Sequence, residues 1–103
     1  MKEMSKNDLQ AFSEAQTDLE FKKAYEAELL RLELVDLLLS LREETGLNQK
    51  AFAERVGKPR STICRIEKGT MEPSLGLLEE IAFALGKRIT VGTVELYETT
   101  QAE

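Results

Sequence analysis

Four glycines divide the middle of this chain into helical pieces of set length. Gly46, Gly57, Gly69 and Gly86 each follow a run whose apolar residues recur every three or four positions, and no glycine or proline precedes the first of them. A side chain makes left-handed backbone costly, so glycine is the usual residue just past a helix end. Thr17, with Glu20 three residues on, forms a reciprocal capping box and predicts a helix start. From there Phe21, Tyr25, Leu29, Leu30, Leu34, Leu37, Leu38 and Leu41 carry a helical stripe to about Glu44, as one long helix or two abutting ones. Residues 1–16, with only Met4, Leu9 and Phe12 as scattered apolar positions, predict a weak helix at best. Asn48 caps a helix over Gln49–Val56, a second spans about Arg60–Glu67, and Ser74 caps a third over Leu75–Leu85.

The inward positions follow from the same spacing. Leu34, Leu38 and Leu41 face Phe52, Ala53 and Val56 of the next helix, then Ile63 and Ile66, then Leu75, Leu78, Ile81, Ala82 and Leu85. The first helix has more leucines than one face can use. Leu29, Leu32, Val35, Leu37 and Leu39 make a second surface, covered either by the N-terminal arm folding back or by a partner or second copy. After Gly86 the period changes to two. Ile89 and Val91 alternate with polar residues, the parity slips at Gly92, and Val94 and Leu96 resume it. A glycine-first hairpin and a single strand bulged at Gly92 both bring these four residues to one face. Either needs something to pair with, and a second copy is the most economical partner.

Charge is distributed unevenly. The net charge is -5, yet residues 1–46 carry -5, residues 47–73 carry +3 and residues 74–103 carry -3. In the basic segment, helical spacing puts Arg60, Ser61, Cys64, Arg65 and Lys68 on one side of a helix and Ile63 and Ile66 on the other. One stripe can hold a core while the other enters a DNA groove. A local anion-facing surface on an acidic chain reads as a nucleic-acid footprint.

Other classes are disfavoured. There is no histidine and a single cysteine, Cys64, so no metal site and no internal disulfide is expected, nor any cofactor. Glu43-Glu44 and Glu79-Glu80 are adjacent on helices and point different ways, and no nucleophile–base pair accompanies them, so an enzyme is not expected. No run approaches a membrane span and no signal pattern opens the chain, so a reducing, cytoplasmic setting is expected.

The ordered run Gly46-Leu47-Asn48-Gln49, Phe52-Ala53-Glu54-Arg55-Val56-Gly57, Ser61-Thr62-Ile63, Arg65-Ile66-Glu67-Lys68-Gly69 and Pro73-Ser74-Leu75, leading to Ile81-Ala82 and Ala84-Leu85-Gly86, resembles the five-helix DNA-binding domain of the phage-repressor and Xre type. The acidic helical arm before it (Asp18-Leu19-Glu20-Phe21, Tyr25) and the Gly86-Lys87-Arg88 lead into a strand are similar to HigA-type antitoxins. The resemblance implies a mainly α fold: an arm at 1–29, a helix-turn-helix domain at 30–86, a dimerising strand at 87–98 and a tail at 99–103. It implies that Pro59, Arg60, Ser61 and Arg65 meet bases, while Gln49, Lys58, Thr62, Lys68 and Thr70 meet phosphates. The forked donors of arginine suit the two major-groove acceptors of guanine. Pro59 offers no capping oxygen where the family often has Ser or Thr, which lets the helix start shift by a residue. Cys64 stands on the groove-facing stripe, either as a small residue beside a base or as a redox-sensing thiol.

The function implied is that of an antitoxin. Two copies would bind a palindromic operator in double-stranded DNA and repress the operon, and a HigB-type ribonuclease toxin would be neutralised by direct contact. The acidic, leucine-rich arm, with Phe21, Tyr25, Leu29 and Leu32, is the expected toxin surface, because an RNA-cleaving protein needs basic surfaces. Ile89, Val91, Val94 and Leu96 are the expected dimer contacts. The alternative is a stand-alone repressor of the same fold.

Overall fold

The computed structural model describes residues 5–96, apart from the side chains of Phe12 and Ser13. Met4, the Phe12 side chain, the end of the 87–98 segment and the 99–103 tail therefore lie outside the described residues. Four helices follow one another: α1 (Lys6–Thr45), α2 (Gln49–Val56), α3 (Arg60–Lys68) and α4 (Leu75–Ala84).

α1 is a single helix of 40 residues. It starts well before Thr17, because Ser5 and Asp8 form the same reciprocal box earlier: Ser5 Oγ accepts from the Asp8 amide at 3.1 Å, and Asp8 Oδ2 accepts from the Ser5 amide at 3.4 Å. Nothing between Ser5 and Gly46 breaks a helix, so the earlier cap wins and Thr17 lies inside. At 1.5 Å per residue α1 is about 60 Å long, which accounts for the long axis of the 65 × 31 × 21 Å molecule. Every described side chain from residue 5 to residue 30 is exposed. The arm thus continues outward and does not fold back over the leucine surface, and α1 passes residues 29 and 30 without a break.

The core gathers the C-terminal part of α1 with the three short helices. Leu38, Phe52, Ile63, Ile66, Leu78 and Ile81 are fully buried, with Val35, Leu41, Ala53, Val56 and Ala82 beside them. Val35, expected on the second surface, belongs to this core, and Leu37 and Leu39 pack partly against it. Leu75, expected inward, is 49% exposed. α2 ends on Gly57 at φ 70° and α3 on Gly69 at φ 83°. In each case the amide two residues beyond the helix bonds back across the turn: Lys58 N–H to the Ala53 carbonyl at 3.0 Å, Thr70 N–H to the Arg65 carbonyl at 2.9 Å. These paired bonds close the helix ends with the chain turning in a set direction.

The expectations of five helices and a C-terminal strand are corrected here. α1 takes the parts of both the arm and the first helix of the domain, and no fifth helix or strand occurs among the described residues. Gly86, at φ 77°, ends α4 and turns the chain, and residues 87–95 have neither helix nor ladder. Gly92 does not adopt positive φ, so the glycine-first hairpin turn does not form either. Alternation of Ile89, Val91, Val94 and Leu96 gives a pattern that a strand could use, but a ladder needs a neighbour to complete its backbone hydrogen bonds.

Candidate nucleic-acid interface

α2 and α3 form the paired helices of the interface. α3 buries Ile63 and Ile66 and turns Arg60, Ser61, Arg65 and Lys68 to solvent. Cys64 and Thr62 are half-buried at the edge of the exposed stripe. Pro59 occupies the N-cap at φ -61° and makes no side-chain cap, so α3 begins with its first amides free of a capping side chain. Arg60, Ser61 and Arg65 stand together at the exposed side of α3, and none of their side chains has a hydrogen-bond or ion-pair partner among the described residues. Their donors are available to base edges and phosphates.

The helix pair is fixed to α1 by a charged clamp. Arg42 of α1 meets Glu67 of α3 with two bonds, Nε to Oε2 at 2.7 Å and Nη2 to Oε1 at 3.0 Å. Its third nitrogen, Nη1, donates to the Leu47 carbonyl at 3.1 Å. Gln49, the first residue of α2, donates Nε2 to Glu67 Oε1 at 2.8 Å. One carboxylate thus binds the ends of three helices, and its side chain is only 8% exposed. Burial pushes the Glu67 carboxyl up, but the hydrogen bonds from Arg42 and Gln49 and the Arg42 charge outweigh it, so the group sits below the usual carboxylate range. The Arg42 guanidinium is raised in turn, chiefly by its bonds to Glu67. Sequence reading passed over this pair. Its trace is that Arg42 follows the buried Leu38 by four and Glu67 follows the buried Ile63 by four, placing opposite charges at the ends of two inward stripes.

The expected phosphate contacts fall in three situations. Lys68 is exposed at the end of α3. Gln49 is half-buried and oriented by Glu67, which takes one of the two hydrogens of its amide nitrogen. Lys58 and Thr70 flank α3 at the two glycine turns, and both are engaged: the Lys58 ammonium pairs with Glu80 of α4, and the Thr70 hydroxyl donates to the Arg65 carbonyl at 3.2 Å. A phosphate reaching Lys58 would have to compete with this carboxylate.

The residues expected to meet proteins lie elsewhere. Phe21 and Tyr25 stack one turn apart on the arm, ring centroids 6.4 Å apart, and with Leu29 and Leu32 they leave an exposed apolar stripe. The four expected dimer contacts are split. Ile89 is half-buried against the core, and Val91 lies in a hollow with Leu75 and Phe83. Val94 is 88% exposed, while Leu96 lines a hollow with Leu19, Phe21 and Tyr25 on the arm.

Comparison with known proteins agrees with this geometry. The helix-turn-helix family matches residues 38–91, just over half of the chain. A helix-turn-helix-type transcriptional regulator of Methanothermobacter thermautotrophicus is 51% identical over 51 residues, which span 50% of this chain and 74% of that protein. The immunity repressor protein of Bacillus phage phi105 is 38% identical over 66 residues, 62% of this chain and 46% of that one. A solved structure of a toxin–antitoxin module from Streptococcus pneumoniae superposes with a TM-score of 0.54 at 26% identity, covering 82% of this chain and 92% of that one. With α2 and α3 set against a shared core and the basic face of α3 in solvent, this chain belongs to the helix-turn-helix family.

Proposed function

We propose that the protein is a DNA-binding transcriptional repressor that also serves as the antitoxin of a toxin–antitoxin pair. The observation that carries the DNA role is the exposed face of α3, where Arg60, Ser61 and Arg65 stand without side-chain partners among the described residues, on a helix anchored by the Arg42–Glu67–Gln49 clamp. Arg65 and Arg60 read base edges in the major groove, with Ser61 and Pro59 beside them. Gln49, Lys58, Thr62, Lys68 and Thr70 meet the phosphates that set register. Two copies read two half-sites about 34 Å apart.

The antitoxin role is supported by the likeness to the pneumococcal module. That likeness covers a larger share of the chain than the helix-turn-helix segment does, so it extends beyond the DNA-reading core. The arm bears an exposed apolar stripe, Phe21, Tyr25, Leu29 and Leu32, set among acidic residues. Such a surface suits a basic, RNA-cleaving toxin. A stand-alone repressor of the same fold is the second reading, favoured by the likeness to the phage repressor.

Two measurements test the proposal. Fluorescence anisotropy with the duplex upstream of the protein's own gene should show binding that competitor DNA of unrelated sequence does not remove. Co-expression with the product of the adjacent reading frame should yield a complex and relieve growth arrest. Equal affinity for every duplex would refute sequence-specific repression, and an adjacent product that neither binds nor arrests growth would leave the stand-alone repressor.

A further inference from the structure

The cations of the basic segment are not equally free to meet DNA. Residues 47–73 carry six of them: Lys50, Arg55, Lys58, Arg60, Arg65 and Lys68. Only Lys58 forms an ion pair among the described residues, and its partner, Glu80 of α4, comes from outside the segment. Two features of the fold bring this pair together. Gly57 turns the chain at φ 70°, and the Lys58 amide donates to the Ala53 carbonyl at 3.0 Å, so Lys58 leaves α2 on a fixed course. α4 packs on α2 with Leu78 and Ile81 fully buried, which carries Glu80 to the turn that begins α3. The Lys58 side chain is only 25% exposed, so it rests against the domain, whereas that of Glu80 is 63% exposed.

We propose that Glu80 is a built-in competitor for phosphate at Lys58 and holds down the affinity of this domain for DNA of any sequence. The proposal rests on the reading above that α3 enters the groove with Lys58 on the phosphate side. Chemistry argues for the competition. Lysine carries one compact charge, and a carboxylate beside it cancels much of the attraction that a phosphate would feel. A phosphate that binds Lys58 must displace Glu80 or sit against its negative charge, and both reduce the gain. Exposure argues for it as well. An ion pair open to water is screened and contributes little to stability, so DNA can disrupt it without loosening the fold. Phosphate contacts carry no sequence information, so restraint at Lys58 acts on every duplex alike. Arg60, Ser61 and Arg65 have no partner among the described residues, and base reading is left to them. Glu80 is thus a positioning residue that acts through Lys58.

The test compares Glu80→Gln with Glu79→Gln, which removes the same charge one residue away, where no cation is paired with it among the described residues. Anisotropy titrations of the full chain use the duplex upstream of its own gene and a duplex of unrelated sequence, at about 50 and about 200 mM salt. One added phosphate contact steepens the fall of log affinity with log salt by about 0.9 for each copy bound. Glu80→Gln should therefore bind both duplexes several-fold tighter at about 50 mM salt, and the gain should shrink about threefold by about 200 mM. Glu79→Gln should leave the slope at its wild-type value. In a Lys58→Met background Glu80→Gln should add no more affinity than Glu79→Gln does. An ion pair that merely braced the fold would change the melting temperature and not the salt slope. Equal slopes for the two glutamine variants, a gain that survives Lys58→Met, or a gain confined to the upstream duplex would each overturn the proposal. A wild type that binds neither duplex overturns it together with the DNA reading. A wild type that binds both duplexes equally sinks only sequence-specific repression, and the salt slopes still decide the role of Glu80.

Discussion

Replacing Glu67 with alanine removes the acceptor for Arg42 and Gln49 in one step, and its cost can be worked from the contacts. Three hydrogen bonds to an ionised carboxylate disappear, two of them from the Arg42 guanidinium. Breaking a buried ion pair from one side costs about 3–5 kcal/mol, and a hydrogen bond to a charged group about 1.5–3 kcal/mol. The Arg42 side chain is 25% exposed and keeps its bond to the Leu47 carbonyl, so the stranded guanidinium can hydrate in part. That moves the expected loss to about 2–3 kcal/mol, a fall in Tm on the order of 10–20 °C for a domain of this size. The difference should depend on pH with a definite sign. The folded Glu67 carboxyl lies below its unfolded value, so its stabilisation is present above the ordinary Glu range, near pH 4.3, and is lost as pH falls through the folded value. Thermal melts followed by circular dichroism at pH 7 and at pH 3 measure both effects. Glu67→Gln, which keeps an oxygen for Gln49 but no charge, should fall between wild type and alanine at pH 7. A Glu67→Ala protein melting within about 2 °C of wild type at pH 7 would refute the reasoning. So would a gap that does not shrink in acid.

The other expectations concern reading, packing, backbone and partner. Arg65→Ala should weaken binding to the operator by about 1–3 kcal/mol and relax its sequence preference, whereas Gln49→Ala should weaken binding to all duplexes alike, both by anisotropy titration. Phe52→Ala opens a cavity where a ring is fully buried and should cost about 3–5 kcal/mol in urea unfolding. At Gly57 an added Cβ meets nothing within 4 Å, so Gly57→Ala should cost only the left-handed strain of about 1–2 kcal/mol, and a larger loss would point to a clash. A Phe21→Asp and Leu29→Asp double variant should lose co-purification of the adjacent gene's product while keeping operator affinity within about twofold, because both side chains are exposed and neither belongs to the core that holds α3.

Local rules made much of the fold legible. α2 was readable to the residue because Asn48 and Gly57 bracket it and each acts within one turn of its own position. α3 was readable too: Pro59 starts it and Gly69 stops it, while Ile63 and Ile66 had to face the core for the basic residues to face out. The beginning of α1 was not. Ser5 and Thr17 both offer a cap with an acidic residue three on, and only the continuity of the helix between them selects the first. The segment after Gly86 misled for a related reason, since alternation describes what one strand would present and says nothing of whether a second strand lies beside it.

The sequence by itself determined where helices end, which face of each is apolar and which segment carries positive charge. Those properties depend on residues within about four positions of one another. The tertiary structure alone decided that Arg42 and Glu67, 25 residues apart, share one carboxylate clamp with Gln49. It also decided that Lys58 is held by Glu80, that the arm stands away from the domain, and that Phe83 is left in solvent. Each of these follows from how helices of known length pack around one shared core, and no local pattern encodes that packing.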